Sequence, residues 1–127
     1  MNIIGLGLDI TEISRVQRLL DRYGERFEKR IFTDHEIAYC RRKRKTAASS
    51  YAARFAAKEA AMKALGTGRA FGVLWRDVEV FRTYGPPQLR FHGGAARRFA
   101  SMEGTRTLVT LTHSNDTAMA QVILIGP

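Results

Sequence analysis

The feature that most constrains the fold is an alanine-rich segment, Ser49 to Leu65, followed by Gly66 and Gly68. Alanine is the strongest helix former, and glycine just beyond the last apolar residue is a common helix stop. The segment therefore predicts one helix. Its small side chains permit close packing, so we expect Glu59, near its middle, to be partly buried. A partly buried carboxylate needs a cation or a metal as its partner.

The N-terminal segment predicts a strand over residues 3–10. Apolar residues at positions 4, 6, 8 and 10 alternate with Gly5, Gly7 and Asp9, which gives one apolar face and one nearly bare face. Bare glycine lets another backbone or a ligand come close. Asp9 thus stands at the end of a face that something else can approach.

The remaining patterns predict helices before the alanine-rich segment and mainly strands after it. Apolar residues at helical spacing indicate a helix from Thr11 or Ser14 to about Phe32, and a shorter helix over 34–42 capped by Thr33 or Asp34. Further strands are predicted at 74–82, 88–92, 107–114 and 117–125, with a short helix at 94–102 and a turn at 41–45. This order favours an α+β fold, a single compact domain over 1–127 with a mixed sheet packed with helices.

Composition excludes several classes of protein. A chain of 127 residues and 14.3 kDa has the size of one domain, and 45% hydrophobic residues argue against global disorder. No apolar run approaches the ~18 residues that span a bilayer, and the N-terminus lacks a signal-peptide pattern. We therefore expect a cytoplasmic protein without a membrane partner. A single cysteine, Cys40, excludes an intrachain disulfide and a thiolate-rich zinc site.

The charge balance favours an anionic partner. Lys and Arg number 21 against 12 Asp and Glu, a net charge of +9. Nucleic acid, a phosphate-rich small molecule and an acidic protein all fit this charge. The basic cluster at 41–45 supports a basic nucleic-acid-binding module as the alternative function, although no RNA-recognition signature is present.

Three residues carry the candidate chemistry. Asp9 and Glu59 come from separate elements, and two such carboxylates could hold Mg²⁺ together with phosphate oxygens and water. Lys63 could take a phosphate charge, which would suit phosphoryl transfer. The simpler alternative is an exposed ion pair between Glu59 and Lys63, one helical turn apart, that contributes about 0.3–0.5 kcal/mol. The chain has no P-loop, nucleophile elbow or dinucleotide fingerprint.

Several segments match known sequence motifs in order along the chain. Residues 7–15 fit a Gly-x-Asp-(five)-Arg pattern, residues 32–36 fit Phe-Thr-x-x-Glu, and residues 54–68 form a distinctive helix block. With residues 75–80 and 109–114, this set resembles the motifs of the phosphopantetheinyl transferases, specifically the holo-acyl-carrier-protein synthase group. Pro86 stands where the family often has a lysine, and Thr117 lies in a segment where an aromatic residue is common.

The resemblance implies a reaction and its participants. A transferase of this kind moves 4′-phosphopantetheine from coenzyme A to a serine of apo-acyl carrier protein and releases adenosine 3′,5′-bisphosphate, a step in fatty acid biosynthesis. Asp9 and Glu59 would bind Mg²⁺, and Lys63 would contact phosphate oxygens, so these three are the catalytic residues that the resemblance implies. Glu59, acting through a metal-bound water, is the first candidate for taking the serine proton.

The resemblance also implies a coenzyme site, an assembly and a docking surface. It places Arg54, Lys63, Gly66, Thr112 and His113 at coenzyme A, and it implies a homotrimer with active sites shared between subunits. Basic residues at helical spacing predict one basic helix face, which includes Arg15, Arg22 and Arg26. A solvated face is the simpler alternative, and the resemblance implies that this face docks the acidic carrier. A coenzyme A-binding regulator without catalysis is a third possibility, against which the presence of both carboxylates argues.

Overall fold

The computed structural model describes residues 1–127 as five helices and five strands. The helices are α1 (Ile13–Tyr23), α2 (Glu25–Ile31), α3 (Asp34–Arg42), α4 (Ala47–Leu65) and α5 (Gly93–Ser101). The strands are β1 (Asn2–Glu12), β2 (Val78–Phe81), β3 (Gln88–Phe91), β4 (Arg106–Ser114) and β5 (Thr117–Gly126). Single 3₁₀ turns precede α4, at Arg44–Thr46, and β2, at Trp75–Asp77.

The alanine-rich helix α4 lies at the centre of the molecule. Most of its residues are buried, and it ends at Gly66, whose φ of 73° is the left-handed conformation expected of a glycine cap. The bare face of β1 packs directly on it, as the sequence predicts. A Cβ atom at Gly7 would lie 1.8 Å from the carbonyl oxygen of Ala60, and one at Gly5 would lie 2.3 Å from that of Ala64. Only glycine permits this approach.

The strands form two antiparallel sheets. One has the order β1-β5-β4, and the other is the pair β2-β3. The α+β class is therefore confirmed, with the difference that no strand pair is parallel, whereas the sequence predicts a mixed sheet. In the larger sheet Asp9 pairs with Ala120, which in turn pairs with Leu111. This register points Asp9 towards α4.

The long helix predicted up to Phe32 is wrong, because it is broken at Gly24. Gly24 has φ 53° and ψ −125°, which no helix accommodates, so α1 ends and α2 begins there. The predicted caps are also wrong. Thr11 lies within β1, and the backbone N–H of Ser14 donates to the carboxylate of Asp116 at 2.9 Å. The hairpin between β4 and β5 thus caps α1 from a distance of 102 residues along the chain.

Two other predictions need correction and one is confirmed. The strand predicted over 74–82 is confined to Val78–Phe81, because residues 75–77 form a 3₁₀ turn. Arg41 and Arg42 end α3 instead of lying in a turn. The predicted Thr33 cap is present: its hydroxyl accepts from the backbone N–H of Glu36, whose carboxylate accepts from the N–H of Thr33.

A buried ion pair joins α3 and α4 to β2. Lys58 and Glu36 are both fully buried, with 2.7 Å between the ammonium and a carboxylate oxygen. Lys58 also donates to the carbonyl oxygens of Trp75 and Val78, and Glu36 accepts from the N–H of Val80. Burial lowers the pKa of Lys58, and Glu36 opposes that shift. The pair holds the 3₁₀ turn at Trp75 against α4.

None of the helices has the length and apolar character needed to cross a bilayer.

Candidate active site

Asp9 and Glu59 face one cleft of about 640 Å³ between β1, α1 and α4. Asp9 comes from the glycine-bearing face of β1, and Glu59 comes from the middle of α4, where Ala60 and Ala64 let the strand approach. Arg15, Phe55 and Trp75 complete the walls. The structure therefore brings the two predicted carboxylates together.

Lys63 contacts Asp9 and not Glu59. Its ammonium lies 2.9 Å from a carboxylate oxygen of Asp9 and 3.0 Å from the carbonyl oxygen of Leu8. The hydroxyl of Thr11 lies 3.3 Å from the other oxygen of Asp9. The simple ion pair between Glu59 and Lys63 is therefore absent, and Lys63 pairs instead with Asp9 on β1.

Glu59 has a partner that the sequence did not reveal. It is half-buried, and its carboxylate accepts a hydrogen bond from the indole N–H of Trp75 at 2.9 Å. The sequence pattern places Trp75 only within the strand predicted over 74–82. The sequence could have indicated only that a partly buried tryptophan needs an acceptor for its indole N–H, and not which residue supplies it.

A second cleft, of about 490 Å³, holds three of the predicted coenzyme residues. Arg54, Thr112 and His113 line it at the edge of β4. Lys43 and Arg82 line the same cleft and were not among the predicted site residues. Lys43 belongs to the basic cluster at 41–45, so the charge pattern pointed to the correct region without selecting the residue.

Arg54 is an unusual feature of this second cleft. Its side chain is only 4% exposed, and its Nε atom has no hydrogen-bond acceptor. Its guanidinium lies 4.0 Å from the ring centroid of Tyr39. Burial alone would raise the pKa of Tyr39, but the charges of Arg54 and Lys43 outweigh burial and lower it. A buried cation with an unsatisfied donor indicates a place for an anion.

The structure confirms Gly66 as the predicted end of the alanine-rich helix, whereas the arginine face differs from the sequence expectation. Gly66 serves as the cap of α4 and lines neither cleft. The predicted docking face is not one helix face, because the break at Gly24 leaves Arg15 and Arg22 on α1 and Arg26 on α2. Arg15 lines the first cleft, and both Arg15 and Arg26 line an adjoining groove of about 460 Å³.

Residues 5–121 match the 4′-phosphopantetheinyl transferase superfamily. The chain belongs to that superfamily. The resemblance found in the sequence motifs is therefore confirmed, and it extends over nearly the whole chain. The phosphopantetheinyl transferase domain spans both clefts.

The proteins similar to this transferase include several holo-[acyl-carrier-protein] synthases. This chain is 50% identical to a holo-[acyl-carrier-protein] synthase from Solibacter usitatus, over 96% of this chain and 98% of the relative. The holo-[acyl-carrier-protein] synthase structure from Neisseria meningitidis has a TM-score of 0.87 at 29% identity, covering 98% of this chain and 99% of that one. A synthase from Bacillus anthracis in complex with coenzyme A (3′,5′-ADP) has a TM-score of 0.81 at 34% identity, with 98% of each chain covered.

Neither the relatives nor the structure supports the nucleic-acid alternative. Arg41, the first residue of the basic cluster, is engaged by Glu28 at 2.7 Å. Arg42 and Lys43 lie over the ring of Tyr39, and Lys43 lines the second cleft. Arg41, Arg42 and Lys43 thus contact other side chains of the protein, whereas Arg44 and Lys45 are exposed.

Proposed function

We propose that this transferase is a holo-[acyl-carrier-protein] synthase that moves 4′-phosphopantetheine from coenzyme A to a serine of apo-acyl carrier protein. In this reaction the serine Oγ forms a bond to the β-phosphorus, and the bond from that phosphorus to the bridging oxygen breaks, so that oxygen leaves with adenosine 3′,5′-bisphosphate. The serine proton passes to a base, for which Glu59, acting through a metal-bound water, is the first candidate. The observation that carries the proposal is that Asp9 and Glu59 line one cleft in a member of this superfamily, with Lys63 paired to Asp9.

The donor set of the first cleft fits Mg²⁺. Mg²⁺ prefers oxygen ligands and is usually held by one or two carboxylates plus substrate phosphates and waters. Asp9 and Glu59 supply two carboxylates, and the open cleft leaves room for phosphate oxygens and water. When bound, Mg²⁺ would neutralise charge on the attacked phosphate and on the leaving group.

Lys63 and the cleft walls supply the remaining functions of the first site. The side chain of Lys63 is 55% exposed and its ammonium lies 2.9 Å from Asp9, so phosphate oxygens bound beside Asp9 would be within its reach. Phe55 and Trp75 form an apolar wall beside the carboxylates. Such a wall limits water around the reacting phosphate and strengthens the charge interactions there.

The second cleft is the proposed site for the phosphates at the adenosine end of coenzyme A. Arg54, Lys43 and Arg82 supply positive charge, and Thr112 and His113 supply neutral hydrogen-bonding groups. The unsatisfied Nε of Arg54 supports an anionic ligand there. The coenzyme A complex of the Bacillus anthracis relative is consistent with this ligand class.

A homotrimer would join the two clefts, which share no lining residue within one chain. The outer face of β1 leaves Leu6, Leu8 and Ile10 more than half exposed, at 59%, 51% and 61%. Leu108 on β4 continues this apolar face and is 41% exposed. A contiguous apolar face of this kind favours burial against another protein surface. We assign it to a second copy of this chain, which would bring the coenzyme cleft of one subunit to the carboxylates of the next.

The arginines around the first cleft form the proposed docking surface for the carrier. Arg15, Arg22 and Arg26 are exposed, and Arg15 and Arg26 border the groove that adjoins the catalytic carboxylates. An acidic carrier protein would meet positive charge where its serine must enter.

The direct test is a transfer assay read by mass spectrometry. Apo-acyl carrier protein, coenzyme A and Mg²⁺ should give a carrier heavier by one phosphopantetheine group. Asp9→Ala and Glu59→Gln should abolish this gain, because each removes a carboxylate charge. His35→Ala, at an exposed position outside both clefts, is the matched control and should transfer normally. A native chain that modifies none of several apo-carriers, or near-normal turnover by Asp9→Ala or Glu59→Gln, would overturn the proposal.

A further inference from the structure

Trp75, the chain's one tryptophan, joins the catalytic cleft to the buried core. Its ring is half-buried in the wall of the cleft that contains Asp9 and Glu59. Its Nε1 donates to Oε1 of Glu59 at 2.9 Å. The indole N–H is a donor only, so it can engage this carboxylate without competing with it for a cation.

Contacts to both the backbone and the ring of Trp75 hold its indole in place. The carbonyl oxygen of Trp75 accepts from the buried ammonium of Lys58 at 3.2 Å. Lys58 precedes Glu59 on α4 and is itself held by Glu36. Phe55 packs against the ring with 6.0 Å between centroids, and the guanidinium of Arg69 lies 3.8 Å from the centroid of the Trp75 ring. The donor therefore points in one direction set by the core.

This geometry determines how the carboxylate of Glu59 is oriented. An unrestrained glutamate on α4 would be free to pair with Lys63, one turn along the same helix. Here Lys63 contacts Asp9, and Trp75 occupies one oxygen of Glu59. The second oxygen, Oε2, remains available. Groups that orient a metal ligand in this way typically change metal affinity about 10- to 100-fold when they are removed.

We propose that Trp75 is a positioning residue whose indole N–H fixes Glu59 so that its second oxygen is available to a divalent cation shared with Asp9. This inference rests on the proposed function, because it takes these two carboxylates as the cation ligands. It adds a role for a residue that would otherwise be only part of the cleft wall.

The presence of one tryptophan allows a test that preserves shape. Growth of a tryptophan auxotroph on β-(3-benzothienyl)alanine replaces only position 75 and substitutes sulfur for the N–H group in a ring of nearly the same size. Mn²⁺ serves as the probe for the Mg²⁺ site, with free Mn²⁺ measured by electron paramagnetic resonance. We expect Mn²⁺ affinity to fall roughly tenfold or more, with the thermal unfolding midpoint in chelator unchanged.

Kinetics and a paired variant distinguish positioning from mere packing. The KM for Mg²⁺ should rise in step with the loss of Mn²⁺ affinity, and by a larger factor than any fall in kcat at saturating Mg²⁺. In a Glu59→Gln background the same replacement should have no further effect on Mn²⁺ binding, because the carboxylate that it orients is gone. Trp75→Phe, which also lacks the N–H, should reproduce the loss in a conventionally expressed protein.

The outcomes separate this inference from the proposed function. If Glu59→Gln weakens Mn²⁺ binding but the benzothienyl chain binds Mn²⁺ within twofold of the native chain, the role of Trp75 is overturned and the metal site stands. If Glu59→Gln and Asp9→Ala both leave Mn²⁺ binding unchanged, the metal site itself is overturned. Loss of thermal stability with unchanged Mn²⁺ affinity would show that Trp75 acts only in packing.

Discussion

At the scale of single residues, the second cleft is defined by an imbalance in hydrogen bonding. Burying a guanidinium with one donor unsatisfied costs free energy that the isolated chain does not recover. Arg54 nevertheless holds this position, stacked on Tyr39, with only a long 3.4 Å contact from its Nη1 to the carbonyl oxygen of Ser50. Its cost to the free protein is explained if an anion satisfies it in the complex.

We therefore expect Arg54→Met to raise the KM for coenzyme A roughly tenfold, because a charge-assisted hydrogen bond is worth about 1.5–3 kcal/mol. The unfolding free energy should not fall, since an unsatisfied buried donor is removed. Steady-state kinetics and thermal unfolding measure the two effects. Arg97→Met, at an exposed position on α5, is the control and should change neither. An unchanged KM for coenzyme A in Arg54→Met would contradict the assignment of this cleft.

At the scale of elements, the contact between β1 and α4 positions Asp9. Gly7→Ala should destabilise the protein by about 3 kcal/mol or more, because its Cβ would overlap the carbonyl oxygen of Ala60 and force strand and helix apart. Gly72→Ala is the matched control. It has open space and a φ of 75°, so it should cost only about 1 kcal/mol of backbone strain. Denaturant unfolding compares them; equal losses would show that the close approach is not limiting.

A second element-level contact makes stability depend on pH. Glu28 on α2 accepts hydrogen bonds from Arg41 on α3, at 2.7 and 3.0 Å, and from Tyr51 on α4. The bonds from Arg41 are the largest cause that lowers the pKa of Glu28 below its ordinary value of 4.5. As the pH falls, Glu28 therefore binds its proton at a higher pH in the unfolded chain than in the folded protein. This stabilisation is present above pH 4.5 and is lost as the pH falls through the lowered pKa.

Glu28→Gln should consequently reduce the unfolding free energy at neutral pH and flatten its decline below pH 4.5. Chemical denaturation at a series of pH values measures both effects. Some slope should remain, because Glu79 also has a lowered pKa: burial would raise it, but hydrogen bonds from Thr33 and His92 outweigh burial. Glu25→Gln, which removes an exposed carboxylate 3.6 Å from the same arginine, is the control. A control that flattens the profile as much would refute the role of Glu28.

At the scale of the whole molecule, the exposed face of β1 predicts association. The native chain should sediment at about three times 14.3 kDa. Leu8→Glu places a charge on the apolar face, away from Asp9 on the opposite side of the strand, and should give a monomer that has lost transfer. Leu74→Glu, at a loop residue that is 59% exposed, should remain a trimer. A native monomer at micromolar concentration would end this model of shared active sites.

Electrostatics at the same scale predicts how the carrier associates. Arg22→Glu should raise the KM for the carrier and make it less sensitive to salt, because surface charges mainly set the association rate. Arg22 is the suitable position, because Arg15 lines the catalytic cleft and would also disturb the chemistry. The same reversal at Arg97 on α5 is the control. If Arg22→Glu leaves the carrier KM unchanged at low salt, this arginine lies outside the docking surface.

The sequence by itself determined the elements whose signals are local. The alanine-rich helix, its glycine cap, the Thr33 capping box and the β4–β5 hairpin all arise from residues close together in the chain. Asp9 and Glu59 were identified because each lies in a recognisable motif, and the strand pattern at Gly5 and Gly7 already indicated a close neighbour.

Only the tertiary structure decided how these pieces meet. Lys63 pairs with Asp9, 54 residues away, because β1 packs against α4 and brings the Asp9 carboxylate to the lysine ammonium. Trp75 reaches Glu59 because the buried Lys58–Glu36 pair holds its turn against the helix. Asp116 caps α1 from the opposite end of the chain. No local pattern specifies such partners, because each contact depends on packing elements that are distant in sequence.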